Sequence, residues 1–552
     1  MSADPTGGRV ADLIAAAEPS GTRSLGDLVT RLRAADLVRS ARRDDLPVGA
    51  AGLADIDVAG VTDDSRGVRP GSLFVAVPGF HVDGHDFVAG AAAAGAAAAI
   101  VERPVPGTPL PQLIVSSARA ALARSAAWWY GDPTKTIGTV GITGTDGKTT
   151  TSFLAVAALE AAGLSAGLVG TVETKVGAIR ERHAAHVTTP GAPELQATIA
   201  AMTRAGNQVA VIETTSHALE LDRVLGVAWD AAIFTNLTHE HLELHGSFEA
   251  YRAAKLRLFK GLAGGGGDPS NPGKVVGGRP WPKVAIVNRD DPAASWFESA
   301  AHEAGATVMT YGTDPSAGVR VTGVEEDARR LRVVYVAPSG AAQLDLRLAG
   351  RFNVHNALAV VALGEALGLD PAAVREGLVS VEGVPGRMER IDEGQPFAVI
   401  VDYAHSPASL QGVLDLLAPV AAAAGGGLVV VFGSAGERDT AKRPAMGRIA
   451  AERCRLVVAT DEDPRGEDRD AIIDEIVRGA EAAGARRGVD VLAIADRRNA
   501  IAAAFERAEP GDVVLLAGKG HESTILYADG PLPWDEATVA REVLAAMGHR
   551  GR

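Results

Sequence analysis

The sequence predicts an α/β protein of three domains, and three observations support this prediction. Short β-branched runs alternate with helical segments along most of the chain, which is typical of mostly parallel sheets covered by helices. A glycine-rich turn at residues 144–147 joins one such strand directly to a helix, as in a phosphate loop. The length of 552 residues corresponds to about three domains of roughly 150 residues each.

The first predicted domain is an α/β unit at residues 24–136. The segment SLGDLVTRLRAADL has helical spacing, whereas GSLFVAV (71–77) and QLIVS have strand patterns. The segment VAGAAAAGAAAAIV (88–101) is too short to span a bilayer and, being rich in Ala and Gly, predicts a buried helix. The polar residues before position 24 predict a mobile start.

The second predicted domain, residues 137–384, carries the phosphate loop on a mostly parallel sheet. The strand TIGTVGIT leads into the loop, and the helix TTSFLAVAALEAAG follows it. Further buried strands are predicted at VAVIET (209–214), AAIFTN (231–236) and VAIVN (284–288). The Gly- and Pro-rich residues 261–283 predict a flexible surface insertion.

The third predicted domain, residues 385–552, is Rossmann-like. Its predicted strands are FAVIVDYA, GLVVVFG, LVVATD and DVVLLAG. Each strand runs into a polar or glycine-rich turn, and these turns lie in DYAHSP, GSAGERD, TDEDPRGED and GKGHE. Ligands of open α/β sheets bind at the carboxyl ends of strands, so these turns are candidate binding residues.

Composition excludes several classes of protein. The formal net charge is −14 and no block of Lys and Arg is present, which argues against nucleic-acid binding. The single cysteine, Cys454, excludes an intrachain disulfide and a Cys-rich zinc site. The start of the chain lacks the basic and apolar segments of a signal peptide. We therefore expect a cytoplasmic protein without membrane insertion.

The segment GTDGKTT (144–150) is a compact phosphate loop. The standard pattern G-x-x-x-x-G-K-[ST] requires a glycine where Ile142 stands. Glycines allow backbone N–H groups to turn towards phosphate oxygens. Lys148 is expected to contact the β- and γ-phosphates, and Thr149 to bind Mg²⁺. Glu213 and His217 follow a strand of the same domain and are either metal ligands or ordinary strand-end and capping residues.

Nine motifs resemble the Mur ligase family over about residues 60 to 545. They are GTDGKTT, ETTSHALE, FTNLTHEHLELHG, FEAYRAAKLRLF, GRFNVHNALA, PGRMER, VDYAHSP, FGSAGERDTAKRP and GKGHE. The compact loop is the usual form in this family. The resemblance implies a monomeric, ATP-dependent ligase with two Mg²⁺ ions. Its reaction would add a diamino acid to the D-Glu γ-carboxylate of UDP-MurNAc-L-Ala-D-Glu, through an acyl-phosphate, in peptidoglycan precursor synthesis.

The resemblance also implies which residues form the sites. The ATP site would comprise Gly144, Thr145, Asp146, Gly147, Lys148, Thr149, Thr150, Asn236, Asn356 and Arg387. The UDP-sugar and dipeptide site would comprise Asp63, Ser65, residues 80–82, Thr188, Thr189, Thr215 and Arg223, with Leu221 where some relatives have Gln. The amino-acid site would comprise Arg438, Glu462, Asp463, Arg465, Gly518 and Glu522.

Catalytic and metal-binding roles follow from the same resemblance. The implied metal ligands are Thr149, Glu213, His241 and Lys255. On sequence alone, Lys255 is a solvated charge on an amphipathic helix. The resemblance instead implies that CO₂ converts it into an anionic carbamate that binds Mg²⁺. Lys148 would act on the phosphates, and Asp402 and His405 either assist the attacking amine or order the loop after a strand.

The identity of the amino acid depends on Asp463, which replaces the Asn of the D-N-P-R motif in diaminopimelate enzymes. An ionised Asp cannot donate to a carboxylate, which would favour the ammonium group of L-lysine or L-ornithine. Arg438 and Arg465 suit a carboxylate and could neutralise Asp463. The sequence therefore favours meso-diaminopimelate and leaves lysine and ornithine open. Two other functions stay open: a folylpolyglutamate synthase-like ligase and a phosphate-loop ATPase without ligase chemistry.

Overall fold

The computed structural model describes residues 9–44, 46–79, 82–182, 187–238, 242–263, 274–326, 330–348 and 350–550. Three large sheets organise this part of the chain, and they lie in sequence order within residues 38–115, 138–346 and 389–517. The predicted α/β class is confirmed. In the described part of the chain, no helix has the length and apolar character needed to cross a membrane.

The first sheet has six strands. In spatial order they are Leu46–Val48, Val38–Arg43, Gln112–Val115, Ala98–Val101, Ser72–Val75 and Gly60–Thr62. The last four are parallel to one another, and the first two are antiparallel additions. The helices of this part are Leu25–Ala34, Val88–Ala93 and Ala118–Trp129. Leu28, Leu113 and Trp128 are buried in its core.

The prediction of one buried helix over 88–101 is wrong in its second half. The helix ends at Ala93, the chain turns at Gly95 with a φ of 89°, and Ala98–Val101 forms a fully buried strand. Glycine readily adopts the left-handed conformation that ends a helix. Beyond it, the β-branched pair Ile100 and Val101 packs well in a sheet.

The central sheet has eleven strands. In spatial order they are Ile179–Arg182, Glu173–Val176, Ala166–Val169, Val209–Glu213, Gly138–Thr143, Ala231–Phe234, Val284–Asn288, Thr307–Gly312, Val319–Glu326, Leu331–Ala337 and Gly340–Leu346. The seven strands from Ala166–Val169 to Val319–Glu326 are parallel, and both edges are antiparallel. Because Gly138–Thr143 and Val209–Glu213 are parallel neighbours, the phosphate loop and the end of Val209–Glu213 both lie at the carboxyl ends of the strands.

Helices cover both faces of the central sheet. One face packs against Lys148–Ala161, Phe352–Ala366 and Pro371–Ser380. The other packs against Val10–Ala17, Ala192–Arg204, Phe248–Lys260 and Ala294–Glu303. Short helices Ser216–Glu220 and Leu242–His245 lie near the loop edge. The prediction of a mobile start is wrong for residues 10–17, because Val10 and Ala17 are buried in this packing.

The predicted flexible insertion, 261–283, is wrong in its last third. Residues 264–273 lie outside the described residues, whereas Val275–Val276 and Arg279–Pro280 form a two-stranded hairpin. The hairpin is anchored because Trp281 is buried and the Lys274 Nζ lies 2.6 Å from the Asp230 carboxylate. Glycine content alone did not reveal these anchors.

The third sheet has six strands. In spatial order they are Glu389–Ile391, Ala398–Asp402, Val513–Ala517, Leu428–Phe432, Leu456–Ala459 and Val491–Ala493. All neighbours are parallel except the first pair. The helices around it are Pro407–Ala423, Lys442–Ala451, Arg469–Ala482, Arg497–Glu506 and Glu536–Ala546. The predicted Rossmann-like arrangement is confirmed.

A buried ion pair ties two strand ends of this sheet together. Arg497 and Glu536 have fully buried side chains, and Arg497 binds both carboxylate oxygens of Glu536. The same guanidinium donates to the carbonyl of Asp461 at 2.8 Å and to that of Ala517 at 2.7 Å. The turns that begin at these two residues carry the predicted amino-acid site.

We expect Arg497→Met to lower the free energy of unfolding by about 3–5 kcal/mol, because it leaves the Glu536 carboxylate buried and unpaired. Chemical denaturation would measure the loss. Arg498→Met is the matched control: Arg498 pairs with Glu542, but both side chains are about half exposed, so its effect should stay below about 0.5 kcal/mol. Equal losses in the two variants would contradict this assignment.

Candidate active site

The phosphate loop lies between the strand Gly138–Thr143 and the helix Lys148–Ala161. Gly144 and Gly147 have φ angles of 154° and 82°. A Cβ at Gly144 would lie 1.8 Å from the Thr235 Oγ1, and one at Gly147 would lie 2.4 Å from the Asn356 Oδ1. Both positions therefore require glycine, which leaves the backbone open to an anion at the helix N-terminus.

Three predicted ATP-site residues contact this loop. Lys148 folds back so that its Nζ donates to the carbonyls of Gly144 and Thr145, at 3.1 and 2.7 Å. The Asn236 side chain accepts from the backbone N–H of Asp146 at 2.8 Å. The Asn356 Oδ1 accepts from Thr151 on the first turn of the helix, at 3.3 Å. The structure thus brings these residues together around the place expected for the phosphates.

Glu213 joins the loop to the neighbouring strand. Its carboxylate is fully buried and accepts from the Thr149 Oγ1 at 3.0 Å, the Ser152 Oγ at 3.2 Å and the Thr171 Oγ1 at 2.7 Å. The backbone N–H of Thr171 adds a fourth bond at 3.0 Å. A buried carboxylate surrounded by hydroxyl oxygens is a donor set that suits Mg²⁺.

Lys255 is buried, so the interpretation of it as a solvated surface charge is wrong. Its side chain is 1% exposed, and its Nζ donates to the carbonyl of Gly144 at 2.7 Å. The ring of Tyr251 lies 4.5 Å from the same Nζ. Lys255 and Thr149 thus approach the same loop from different helices, as a shared metal site requires.

The remaining metal-site predictions concern two histidines. His241 lies outside the described residues. His217 packs edge-on against His245, with ring centroids 6.0 Å apart. Among the residues that the structure describes, no cluster of three or more His, Cys, Asp or Glu could hold a metal.

The predicted dipeptide residues lie next to Glu213. The Thr189 Oγ1 donates to the Glu213 carbonyl at 2.7 Å, and Thr215 lies 3.4 Å from the same hydroxyl. Thr188 accepts from Thr171 at 3.1 Å. Arg223 donates to the carbonyl of Thr189 at 2.9 Å. The phosphate loop and the predicted dipeptide site are therefore linked through Glu213, whose carboxylate binds the loop side and whose backbone carbonyl binds Thr189.

A cleft of about 610 Å³ is lined by residues of the first and central domains, including Pro190 next to Thr189. Asp63, Arg223 and Leu221 line it, together with Arg119, which the sequence analysis missed. Burial and the neighbouring Arg119 lower the pKa of Arg223. Two close guanidinium groups favour an anionic ligand.

Two other predicted residues of the UDP-sugar site do not line this cleft. Ser65 lies in the turn Ser65–Gly67 outside the lining, and Val82 is exposed. Residues 80–81 lie outside the described residues.

The predicted amino-acid residues converge at the carboxyl edge of the third sheet. Lys519, which the sequence analysis missed, is fully buried between Asp463 and Glu522, and its Nζ lies 2.7 and 2.5 Å from their carboxylates. The neutralising partner of Asp463 is thus Lys519 rather than an arginine. A Cβ on Gly518 would lie 3.7 Å from the Glu462 carboxylate, whose Oε2 is buried without a hydrogen-bond partner among the described residues.

The two predicted arginines occupy adjoining turns. The backbone N–H of Gly436 donates to the carbonyl of Asp463 at 2.8 Å, which holds the turn of Arg438 against the turn of Arg465. Arg438 is exposed, whereas Arg465 is half-buried and has a φ of 56°. Both cations are therefore more exposed than the carboxylates of Glu462, Asp463 and Glu522, which are buried.

Asp402 and His405 follow the strand Ala398–Asp402. Asp402 accepts from the backbone N–H groups of Met388 and Ala404 at 2.8 and 2.9 Å, and burial raises its pKa. The His405 Nδ1 lies 3.0 Å from the carbonyl of Tyr403. These contacts fit the interpretation that the pair orders the loop, and a catalytic role stays a prediction.

The comparisons with known proteins agree with this geometry. The matching family models are the Mur ligase middle domain at residues 142–364, the Mur ligase glutamate ligase domain at 386–520 and the Mur ligase family catalytic domain at 57–128. A UDP-N-acetylmuramyl-tripeptide synthetase from Roseiflexus sp. (strain RS-1) is 49% identical over 90% of this chain and 96% of its own length. The chain belongs to the Mur ligase family.

Two further similarities support the assignment to the Mur ligases. A UDP-N-acetylmuramoyl-L-alanyl-D-glutamate–2,6-diaminopimelate ligase from Geobacter metallireducens (strain ATCC 53774 / DSM 7210 / GS-15) is 41% identical over 86% of this chain and 92% of its own length. A solved structure of a ligase with the same name matches 96% of this chain and 100% of its own, at 27% identity and a TM-score of 0.64. The chain is therefore a peptide ligase.

Membership of the Mur ligase family decides between the functions left open by the sequence. The family model at residues 57–128 covers the domain that a folylpolyglutamate synthase-like ligase would lack. The similarity to the tripeptide synthetase extends over nine-tenths of the chain. The folylpolyglutamate and non-ligase alternatives are therefore wrong, and the ligase prediction is confirmed.

One prediction concerns the phosphate loop of this Mur ligase. We expect Gly147→Ala to raise the KM for ATP at least tenfold, because the new Cβ displaces Asn356 and strains the loop. The matched control is Gly163→Ala after the same helix, where φ is 83° but nothing lies within 4 Å. Steady-state kinetics would compare the two. Similar KM values for ATP in both variants would contradict a role for this contact.

Another prediction concerns the turn that carries Arg438. Glu467 binds Arg443 through both oxygens and accepts from the backbone N–H of Glu437 at 3.0 Å. Arg443 and then the Glu437 amide lower its pKa to about 2. The carboxylate form, and the stability that it contributes, is therefore fully present above the ordinary pKa of Glu and is lost only as pH falls through about 2.

We expect Glu467→Gln to loosen this turn and raise the KM for the amino acid several-fold, with the KM for ATP unchanged. Glu475→Gln is the control, because Glu475 also binds Arg443, at 3.0 Å, but has no bond to Glu437. Initial-rate kinetics with each substrate varied would separate the effects. A rise in both KM values, or an equal rise in the control, would speak against a positioning role.

Proposed function

We propose that this Mur ligase joins meso-2,6-diaminopimelate to the γ-carboxylate of D-Glu in UDP-MurNAc-L-Ala-D-Glu, with hydrolysis of ATP. The observation that carries the proposal is the position of Glu213 between the two predicted sites. Its carboxylate accepts from Thr149 of the phosphate loop, and its backbone carbonyl accepts from Thr189 of the predicted dipeptide site. A γ-phosphoryl group at the loop would thus adjoin a substrate carboxylate at the threonines.

The chemistry requires this proximity. A carboxylate is a poor electrophile, so it must first accept a phosphoryl group, after which an amine displaces phosphate. Lys148, whose Nζ donates to the carbonyl of Thr145 in the loop, would bind the phosphates and balance their charge during transfer. Holding both reactants in one geometry lowers the entropic part of the barrier.

Thr149, Glu213, His241 and a carbamate on Lys255 would hold Mg²⁺. The ion would neutralise negative charge on the transferring phosphoryl group. The fit to Glu213 rests on its hydroxyl-lined carboxylate and the fit to Lys255 on its burial beside the loop. As an ammonium, Lys255 would repel a metal ion, whereas a carbamate there would attract it.

The arrangement of charge supports diaminopimelate as the amine. Arg438 and Arg465 suit its distal carboxylate, and Glu462, whose Oε2 is buried without a hydrogen-bond partner among the described residues, suits an ammonium group. Lys519 pairs with Asp463, so Asp463 does not present an unpaired negative charge to that carboxylate. The relative from Geobacter metallireducens carries diaminopimelate in its name.

Phosphate release from ATP tests the function directly. The assay contains UDP-MurNAc-L-Ala-D-Glu and compares meso-diaminopimelate, L-lysine and L-ornithine. We expect the highest kcat/KM with diaminopimelate and no release when either substrate is omitted. Preference for lysine or ornithine would overturn the amino-acid assignment alone, whereas no stimulation by any of the three would overturn the ligase proposal.

Two variants test the electrostatic argument. Asp463→Asn removes one of the two carboxylate partners of Lys519. The site then carries one negative charge fewer beside the diaminopimelate carboxylate, so the KM for diaminopimelate should fall roughly fivefold, equivalent to about 1 kcal/mol. Lys519→Met exposes the charge of Asp463 and should raise the same KM at least tenfold. The KM for ATP is the internal control. A rise in the KM for diaminopimelate in Asp463→Asn would show that Asp463 itself binds the substrate.

A further inference from the structure

The helix Val10–Ala17 lies before residue 57, where the first matching family model begins. It packs on the helix Ala192–Arg204 of the central domain, where Val10 and Ala17 are 4% and 9% exposed. The opposite, polar face carries Asp12, which is exposed. This segment has no role in the function proposed above.

Anchors from two domains hold the helix in place. On the central side, Arg9 and the backbone N–H of Val10 bind the Glu181 carboxylate at 3.1 and 2.8 Å. On the side of the first domain, the Glu18 carboxylate accepts from the Trp129 Nε1 at 3.0 Å and from the Tyr130 hydroxyl at 2.5 Å. The segment therefore crosses the junction between the two domains.

The helix forms one wall of the cleft described above. Ala11 and Ile14 line the cleft together with Asp63, Arg119 and Arg223. Ala11 is exposed and Ile14 is half-buried, so both side chains present apolar surface to the cleft. The charged groups of the lining are the guanidiniums of Arg119, Arg182 and Arg223 and the carboxylates of Asp63, Glu181, Glu194 and Asp222. Arg182, Glu181 and Asp222 form ion pairs with Asp535, Arg9 and Arg257. The cleft thus combines an apolar patch from the N-terminal helix with Arg119 and Arg223 of the first and central domains.

This combination suits a ligand with a strong anionic group and small apolar groups beside it. A nucleotide-linked muramoyl peptide has both, since its diphosphate is anionic and its acetamido and lactyl groups carry methyls. The cleft volume of about 610 Å³ lies in the usual range of roughly 300–1,000 Å³ for small-molecule sites.

We propose that the helix Val10–Ala17 is part of the UDP-sugar-peptide site and that Ala11 and Ile14 contact the muramoyl peptide when it binds. The inference rests on the function proposed above. It assigns substrate binding to a segment that lies before the first matching family model. Because the helix touches neither the phosphate loop nor the amino-acid site in any contact described above, its effect should be confined to one substrate.

Ala11→Trp in the full-length enzyme fills the cleft from the helix side and tests the proposal. We expect the KM for UDP-MurNAc-L-Ala-D-Glu to rise at least tenfold, with kcat and the KM values for ATP and the amino acid within twofold of wild type. Ile14→Ala, which removes contact without blocking, should raise the same KM about three- to fivefold. The control is Ala16→Trp, because Ala16 is exposed on the same helix but is not part of the cleft lining.

Calorimetric binding of the UDP-linked dipeptide, without ATP or amino acid, provides a readout independent of turnover. Weaker binding in Ala11→Trp but not in Ala16→Trp, at equal melting temperatures, would support the inference. Unchanged binding in Ala11→Trp, or equal losses in both variants, would overturn it. Failure of the wild-type enzyme to bind this compound at all would instead overturn the proposed function.

Discussion

The buried carboxylate of Glu213 is the constraint on which the arrangement of the active site depends. Burying an ionised carboxylate costs several kcal/mol unless hydrogen bonds or a cation compensate it. Here hydroxyls from the phosphate-loop helix and from the turn at Thr171 supply the hydrogen bonds. Because these donors come from different segments, satisfying one carboxylate fixes the loop and the turn relative to one another. Thr188 is joined to this arrangement through Thr171, and Thr189 through the backbone carbonyl of Glu213.

In the third domain, buried carboxylates are paired with basic side chains. Lys519 places an ammonium between Asp463 and Glu522, and Arg497 pairs with Glu536 while binding two strand-end carbonyls. At these sites a lysine or arginine side chain binds the carboxylates, whereas all the donors to Glu213 described above are uncharged. The difference matches the proposed roles. A carboxylate satisfied by hydroxyls can still attract a metal ion, whereas Lys519 offsets the charge of one of its two carboxylate partners and Arg497 offsets that of Glu536.

The features that the sequence predicted well are those set by local chemistry. The phosphate loop was predictable because phosphate binding needs glycines, a lysine and a hydroxyl at fixed spacing after a strand. The strands of the parallel sheets were predictable because burial on both faces produces continuous apolar runs. Likewise, the residues near the carboxyl edges were predictable because each lies directly after such a run.

The features that the sequence did not predict depend on contacts between distant residues. No local sequence pattern around Lys255 predicts the hydrogen bond from its Nζ to the carbonyl of Gly144. The pairing of Lys519 with Asp463 joins turns 56 residues apart, although the lysine is visible in the GKGHE motif. The strand Ala98–Val101 was not predicted because its alanines suit a helix and a buried strand equally. The N-terminal helix was not predicted because it is short and polar residues flank it.

One aromatic side chain connects the two halves of the proposed reaction. The Arg387 guanidinium lies 4.7 Å from the centre of the Tyr403 ring, and the Tyr403 hydroxyl donates to Glu522 at 3.3 Å. Burial and the nearby Glu522 raise the pKa of this hydroxyl, so it remains a donor throughout the physiological range. The ring has few conformations once both contacts form. A residue of the predicted nucleotide site and a residue of the predicted amine site are therefore held by the same rigid group within the third domain, so this domain would carry both contacts to the bound substrates in one fixed geometry.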